Sequence, residues 1–146
     1  MIEYQLLNTT DFVTTLEKEA IIDFLQNELG EYADSRENTS RAIEYALSKF
    51  PHQGGFVQIA RVEAEIVGVC VVNRTNFEGY FSENILVYIA VRSHHRRAGI
   101  ATQLLNQTKV YAKGNITIRL NLESEILGLF KKAGFVDDSH EFTFRR

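Results

Sequence analysis

Apolar residues recur along this chain with two periods, and the switches between them mark out its elements. Residues 2–7 read as a first strand. Phe12, Val13, Leu16, Ala20, Phe24 and Leu25 then fall at helical spacing, with Thr10 and Asp11 placed to cap a helix and Gly30 to stop it. Ala42, Ile43, Ala46, Leu47 and Phe50 outline a second helix, ended by Pro51. After the break at Gly54-Gly55, residues 56–62 and 66–72 predict a hairpin around the short polar turn Glu63-Ala64-Glu65. Its second strand is apolar on both faces, as a central strand is. Residues 73–82 form a polar loop before another buried strand at 85–91. Ile100, Leu104, Leu105, Thr108 and Ala112 share one face of a third helix. Ile116, Ile118, Leu120 and Leu122 alternate as in a strand. Ser124 caps a last helix carrying Ile126, Leu127, Leu129 and Phe130, with Lys131, Lys132 and Gly134 as its C-terminal signals. Phe142 and Phe144 alternate with polar neighbours in a closing strand. The order β-α-α-β-β-β-α-β-α-β predicts an α/β or α+β fold, a mixed sheet with helices on both faces.

Composition adds limits. The 146 residues fit one domain spanning 1–146, and a chain of that size buries about 68–70% of its unfolded surface. With 45% hydrophobic and 24% charged residues it is of ordinary globular make-up. The single cysteine, Cys70, allows no internal disulfide, and its apolar run suits a buried small side chain better than a nucleophile. The first residues lack the basic and apolar regions of a signal peptide, and no run reaches the ~20 apolar residues that span a bilayer. These features lead us to expect a cytoplasmic protein without a membrane partner. A net charge of −3 disfavours nucleic acid and mildly favours small or cationic partners.

The chemistry concentrates after the strand at 85–91. There the chain runs Arg92-Ser93-His94-His95-Arg96-Arg97-Ala98-Gly99-Ile100-Ala101 into the third helix. A helix start leaves backbone N–H groups without partners and carries partial positive charge. Ala98, Gly99 and Ala101 let a ligand approach the backbone, and Arg96 and Arg97 add fixed charge. That combination suits a phosphate or pyrophosphate, although a plain strand-to-helix turn with two solvated arginines has the same sequence. Adjacent His94 and His95 on a loop point apart, with no Cys or carboxylate cluster to join them, so no metal is expected.

Arg96-x-x-Gly99-x-Ala101 resembles the Arg/Gln-x-x-Gly-x-Gly/Ala motif of the GNAT acetyltransferase superfamily. Leu129-Phe130-Lys131-Lys132-Ala133-Gly134-Phe135 is similar to that family's Leu-Tyr-x-Lys-x-Gly-Phe segment, and the hairpin bearing Ile66-Val67-Gly68 resembles its second and third strands. The resemblance is specific from about residue 57 to 135 and rests on element order before that. It implies a mostly antiparallel twisted sheet of six to seven strands with about four helices on both faces. It also implies acetyl-CoA as the acetyl donor, with no metal. The pantetheine arm would pair with backbone groups of Ile89, Ala90 and Val91. The pyrophosphate would sit on the amides of Arg97, Ala98, Gly99, Ile100, Ala101 and Thr102, beside Arg96. A primary amine, whether small molecule, peptide N-terminus or lysine, would attack the thioester directly, and an N–H near Ile89 would steady the oxyanion. Dimers are common in similar proteins, so a homodimer is among the implied partners.

A lysine-like amine has a pKa near ~10.4, so its neutral form costs roughly 4–5 kcal/mol at pH 7. A base or a desolvating pocket must offset that. Glu83 is the first candidate, where some relatives carry a catalytic glutamate, although one alignment places Ile85 there. Glu123 is the second, at a position where relatives often have a pantetheine-binding asparagine. Tyr88, within the strand, reads as core. Glu28, Glu31, Asp34 and Glu37 gather acidic charge between the first two helices, as a solvated face or as a lure for a cationic acceptor. Phe130 departs from the family pattern, in which a tyrosine protonates the leaving thiolate. Three readings follow: an active acetyltransferase, a CoA-holding module without catalysis, or a phosphate-binding domain of another family.

Overall fold

The structure, a computed structural model, describes residues 1–119 and 127–146. Strand β1 (Ile2–Asn8) leads to helix α1 (Thr15–Leu29). Thr14, rather than Thr10 or Asp11, opens α1: its hydroxyl accepts the Glu17 N–H at 3.1 Å, at the spacing of a capping box. Thr10 and Asp11 are occupied in a turn, where the Asn8 side-chain oxygen accepts from the Thr10 amide and the Asp11 carboxylate accepts from the Asn8 amide. Phe12 and Leu16, assigned to the helix's apolar face by spacing, are therefore exposed. Gly30 ends α1 at φ +54°, a 3-10 turn follows, and Ser35 caps α2 (Arg36–Leu47). Phe50 lies beyond that helix and is exposed.

Strands β2 (Gly55–Val62) and β3 (Glu65–Arg74) form the expected hairpin. Its turn places Glu63 and Ala64 at φ +49° and +71°, the left-handed pair that matches the twist of two antiparallel strands. Strand β4 (Asn84–Val91), helix α3 (Ile100–Tyr111), strand β5 (Ile116–Ile118) and helix α4 (Leu127–Lys132) complete the described elements. Helix α4 closes with Gly134 at φ +97° and a Phe135 N–H to Phe130 carbonyl bond, a Schellman ending.

The sheet order is β1-β2-β3-β4-β5, antiparallel except for the parallel pair β4–β5. Each face carries its own apolar layer. Leu7, Val57, Ile59, Val69, Val71 and Ala90 pack under α1 and α2, whereas Phe56, Cys70, Val72, Leu86, Ile89 and Val91 pack under α3 and Phe130. The fold class is thus the expected mixed sheet with helices on both faces. Two details are corrected. The described residues form five strands rather than six to seven. Residues 135–146 form no strand: Phe142 and Phe144 are almost fully exposed. Alternation alone does not make a strand without an edge to pair with, and none of the described strands takes them as partner. Leu120, Leu122, Ser124 and Ile126 lie outside the described residues. Among the described residues no helix is long and apolar enough to cross a membrane.

Candidate functional site

Strand β4 changes character midway. Val71 pairs with Tyr88, but Val72 pairs with Leu86, so Val87 is an extra residue and the strand bulges there. A bulge interrupts the two-residue alternation and re-aims the side chains that follow. Leu86 belongs to the layer under α3, yet Tyr88, two residues on, faces α1 and α2. Beyond the bulge the hydrogen-bonding phase is fixed by the Arg92 N–H, which donates to the Val67 carbonyl at 2.8 Å. Antiparallel pairs alternate, so Ala90 and Tyr88 exchange bonds with Val69 and Val71, while Ile89 and Val91 turn their N–H and C=O groups away from β3. The Val91 carbonyl fits this phase, because it accepts Arg96 Nε at 3.2 Å from the other side. Pairing with β5 covers only Asn84, Ile85 and Leu86, opposite Ile116, Thr117 and Ile118. Among the described residues, therefore, no strand pairs with the edge that Ile89 and Val91 present, although Arg96 already occupies the Val91 carbonyl. Of the three residues expected to meet a pantetheine arm, Ala90 is spent inside the sheet and Ile89 and Val91 are not.

The loop after β4 reaches α3 through a 3-10 turn over Ser93–His95. Gly99 is the N-cap of α3 at φ +77°, a left-handed conformation that favours glycine. Among the described residues no side chain caps this helix, and its first bond runs from the Gln103 N–H to the Gly99 carbonyl. The amides of Ile100, Ala101 and Thr102 are therefore left without helical partners. A Cβ at Gly99 would meet nothing within 4 Å among the described residues. The Ala98 N–H already donates to the His95 carbonyl, which removes one amide from the expected set. Arg96 and Arg97 are exposed beside the opening. Three free amides, the helix dipole and two guanidinium groups suit a pyrophosphate, and the small residues permit its approach. Helix α3 sits where it does because Gly68 lets it down onto β3: a Cβ there would lie 2.8 Å from Ile100 Cγ2.

Glu83 lies elsewhere. Its carboxylate accepts the Gly79 N–H at 2.9 Å and the Asn115 N–H at 2.7 Å, tying the loop before β4 to the start of β5. These backbone bonds hold its pKa below the ordinary carboxylate value. It borders an open cavity of about 460 Å³ with Arg74, Tyr111 and Lys113, at the C-terminal end of α3. At about 3.3 Å per residue, Ile89 is about 20 Å farther along β4. Glu83 is therefore out of hydrogen-bond reach of a carbonyl held at Ile89. Glu123 is outside the described residues. Phe130 is buried under α3, edge-on to Phe135 with ring centroids 5.8 Å apart, and belongs to the core. Cys70 is buried beside Thr108, and burial pushes its thiol up to about 12.

A further contact lies on the other face of the sheet. The Tyr88 hydroxyl donates to Asp34 Oδ2 at 2.5 Å. Burial, then the hydrogen bond and charge of Asp34, raise the Tyr88 pKa, so the phenol stays protonated. Gln26 Nε2 holds the Asp34 carbonyl and Thr39 Oγ1, each at 2.9 Å, which fixes the backbone that presents the carboxylate. Glu28 Oε1 accepts the Ser93 N–H at 3.1 Å and ties the end of α1 to the end of β4. The signal was the acidic cluster between the first two helices. Its partner could not be read, because the bulge decides which way Tyr88 points.

A family model described as acetyltransferase (GNAT) domain matches residues 53–137. No curated protein sequence matches significantly. Among solved structures, the fold is similar to that of the aminoglycoside N-acetyltransferase AAC(6')-Iy in complex with CoA, with a TM-score of 0.71 and 14% identity, over 100% of this chain and 96% of that one. An aminoglycoside acetyltransferase from an uncultured soil metagenomic sample gives 0.70 at 19% identity, over 100% and 99%. A GNAT family acetyltransferase from Streptococcus pneumoniae TIGR4 gives 0.70 at 16% identity, over 100% and 99%. At these identities the likeness is one of fold.

Proposed function

The chain belongs to the GNAT acetyltransferase family, and on that premise we propose that it transfers the acetyl group of acetyl-CoA to a primary amine by direct attack. The observation that carries this reading is the pairing of two backbone surfaces without a strand or helix partner among the described residues: the outward edge of β4 at Ile89 and Val91, and the start of α3 at Ile100, Ala101 and Thr102. Both lie at the C-terminal end of β4. The second suits the pyrophosphate of the donor, and the first suits an amide-bearing arm running back along the strand. Arg96 and Arg97 add charge that the donor's phosphates would meet. Several fold neighbours are named for aminoglycoside acetylation, one of them in complex with CoA, which supports a CoA donor and a small amine acceptor.

In the reaction proposed, the amine nitrogen bonds to the thioester carbonyl carbon and the carbon–sulfur bond breaks. The ammonium gives one proton to solvent before it attacks, the sulfur leaves with the electron pair as thiolate, and the nitrogen gives a second proton to solvent as the amide forms. The Ile89 N–H, free of β3, steadies the carbonyl oxygen as it gains charge. Glu83 is given no part in this step, because it stands at the other end of the strand as a loop tie. Thiols have a pKa near ~8.5, so the coenzyme can leave as thiolate without a donor at Phe130. We assign the activity to the whole chain, 1–146, as one domain acting in the cytoplasm. A homodimer is compatible with this reading.

A second reading, a CoA-holding module without catalysis, draws on the burial of Phe130, which offers the leaving group no proton. Thiol release from acetyl-CoA against a panel of amines separates the two. Turnover on at least one amine is expected; CoA binding with no turnover on any would establish the module. Gly99→Val tests the site itself. A β-branched residue at φ +77° strains the helix start that presents those amides. CoA affinity should fall at least tenfold with the far-ultraviolet spectrum unchanged, and affinity retained would remove the helix start from the site.

A further inference from the structure

The cavity beside Glu83, of about 460 Å³, lies at the far end of β4 from Ile89. Its volume falls in the range of small-molecule sites, about 300–1,000 Å³. Leu6 and Phe56 give it apolar walls, Phe77 and Tyr111 add half-exposed rings, and Arg74 and Lys113 add two cations. Phe56 and Tyr111 stand edge to face, with ring centroids 6.0 Å apart. The loop that supplies Phe77 is pinned. The Thr75 N–H donates to the Glu83 carbonyl at 2.9 Å, the Thr75 hydroxyl to the Ser82 carbonyl at 2.7 Å, and the Phe77 N–H to the Thr75 hydroxyl at 3.2 Å. Tyr80 and Phe81 brace Phe77, each with its ring centroid 5.6 Å away. Lys18, Arg36, Arg41, Arg61, Arg92 and Arg119 all pair with carboxylates. Arg74 and Lys113 pair with none among the described residues, although Glu78 and Glu83 line the same cavity. Glu83 spends one oxygen on the Gly79 N–H and the other on the Asn115 N–H. Arg74 is nonetheless held in place: Nη2 donates to the Gln53 carbonyl at 3.2 Å and lies over Gly54, where a Cβ would collide with it. That bond uses one of the five N–H donors of a guanidinium. The carbonyls of Lys113 and Asn115, just past α3, are taken by the Asn84 side chain.

We propose that this cavity is a second binding site, for a planar aromatic carboxylate. It stands apart from the donor site at the start of α3 and does not depend on the catalytic reading. The ring of the ligand lies among Phe56, Phe77 and Tyr111, where aromatic pairs favour edge-to-face and offset contacts. Its carboxylate meets Arg74, whose planar fork can take both oxygens, with Lys113 as a second charge. A neutral ring leaves the two cations without an anion, and a small anion leaves the rings in water. An aromatic amine meets two like charges, with Glu78 the one lining carboxylate whose oxygens are uncommitted among the described residues. The sign of the ligand is thus selected by repulsion as well as by attraction.

The test titrates the full chain with 2-naphthoate and with 2-naphthylmethylamine, which present the same rings with opposite charge, by calorimetry and by backbone amide NMR. The acid should bind about tenfold tighter than the amine, and its advantage should shrink as salt rises. The amides of Phe77, Gly79 and Lys113 should shift, while those of Ile100, Ala101 and Thr102 stay still. Saturating CoA should leave the naphthoate affinity unchanged. Arg74→Gln and Lys113→Gln should each weaken naphthoate, Arg74→Gln by about tenfold, and leave CoA binding as in wild type. Melting curves check that both variants fold, and Lys113→Gln, at the exposed end of α3, carries the test if Arg74→Gln does not. Four results overturn the inference: an amine that binds as tightly as the acid, a naphthoate affinity that survives both substitutions, shifts confined to the start of α3, or neither heat nor shifts at millimolar naphthoate. Absence of thiol release with any amine would count against the catalytic reading and leave this site untouched.

Discussion

At Gly68 a single hydrogen atom sets the distance between α3 and the sheet. A methyl group there would meet Ile100 Cγ2 at 2.8 Å and Leu104 Cδ1 at 3.3 Å, and the first of these is fixed to a β-branched carbon. Gly68→Ala should therefore overpack the layer and cost about 1–3 kcal/mol. For a chain of this size each kcal/mol lowers the melting temperature by roughly 2–4 °C. A melting curve identical to wild type would mean that the helix moves aside freely. Nothing in the sequence marks this glycine's neighbour, since Ile100 is remote in the chain and becomes close only when α3 docks. Gly99 was legible, because its left-handed conformation serves a helix start that its own neighbours announce. Cys70 was half legible: the apolar run foretold burial, but not the contact with the Thr108 hydroxyl.

At the scale of elements, Glu83 fastens the loop before β4 to the start of β5, and the fastening is charged. The amides of Gly79 and Asn115 hold its folded pKa below the unfolded one. It therefore contributes stability above the ordinary carboxylate pKa, and loses that contribution as pH falls through its lowered value. Glu83→Gln should lower the melting temperature at pH 7, with the gap from wild type closing below about pH 4. A gap that ignores pH would mean that the hydrogen bonds count and the charge does not. Glu83 stands at the entry to β4, where some relatives carry a catalytic glutamate, but one sequence does not tell how far along that strand the chemistry lies. The elements themselves were mostly readable, because α1, α2, α3 and the β2–β3 hairpin carry caps, stops and a turn within their own residues. The Val87 bulge was not readable: a run apolar on both faces looks the same in either register. Phe142 and Phe144 misled for the converse reason, as alternation without an edge to join remains exposed.

On the scale of the molecule, the sheet divides two tasks. The face under α3 and the C-terminal end of β4 hold the free amides suited to a phosphorylated donor. The opposite face, under α1 and α2, carries Tyr88 and the Asp34 carboxylate it bonds. The bulged strand between them offers Ile89 to whatever passes from one to the other. Backbone amide NMR during titration with CoA tests this arrangement most directly. The Ile100, Ala101 and Thr102 amides should shift strongly downfield as they bond the pyrophosphate, joined by Ile89 and Val91 along the strand edge, while Ala90 stays still. Saturation with CoA that leaves the first turn of α3 unmoved, or no saturation at all, would contradict it.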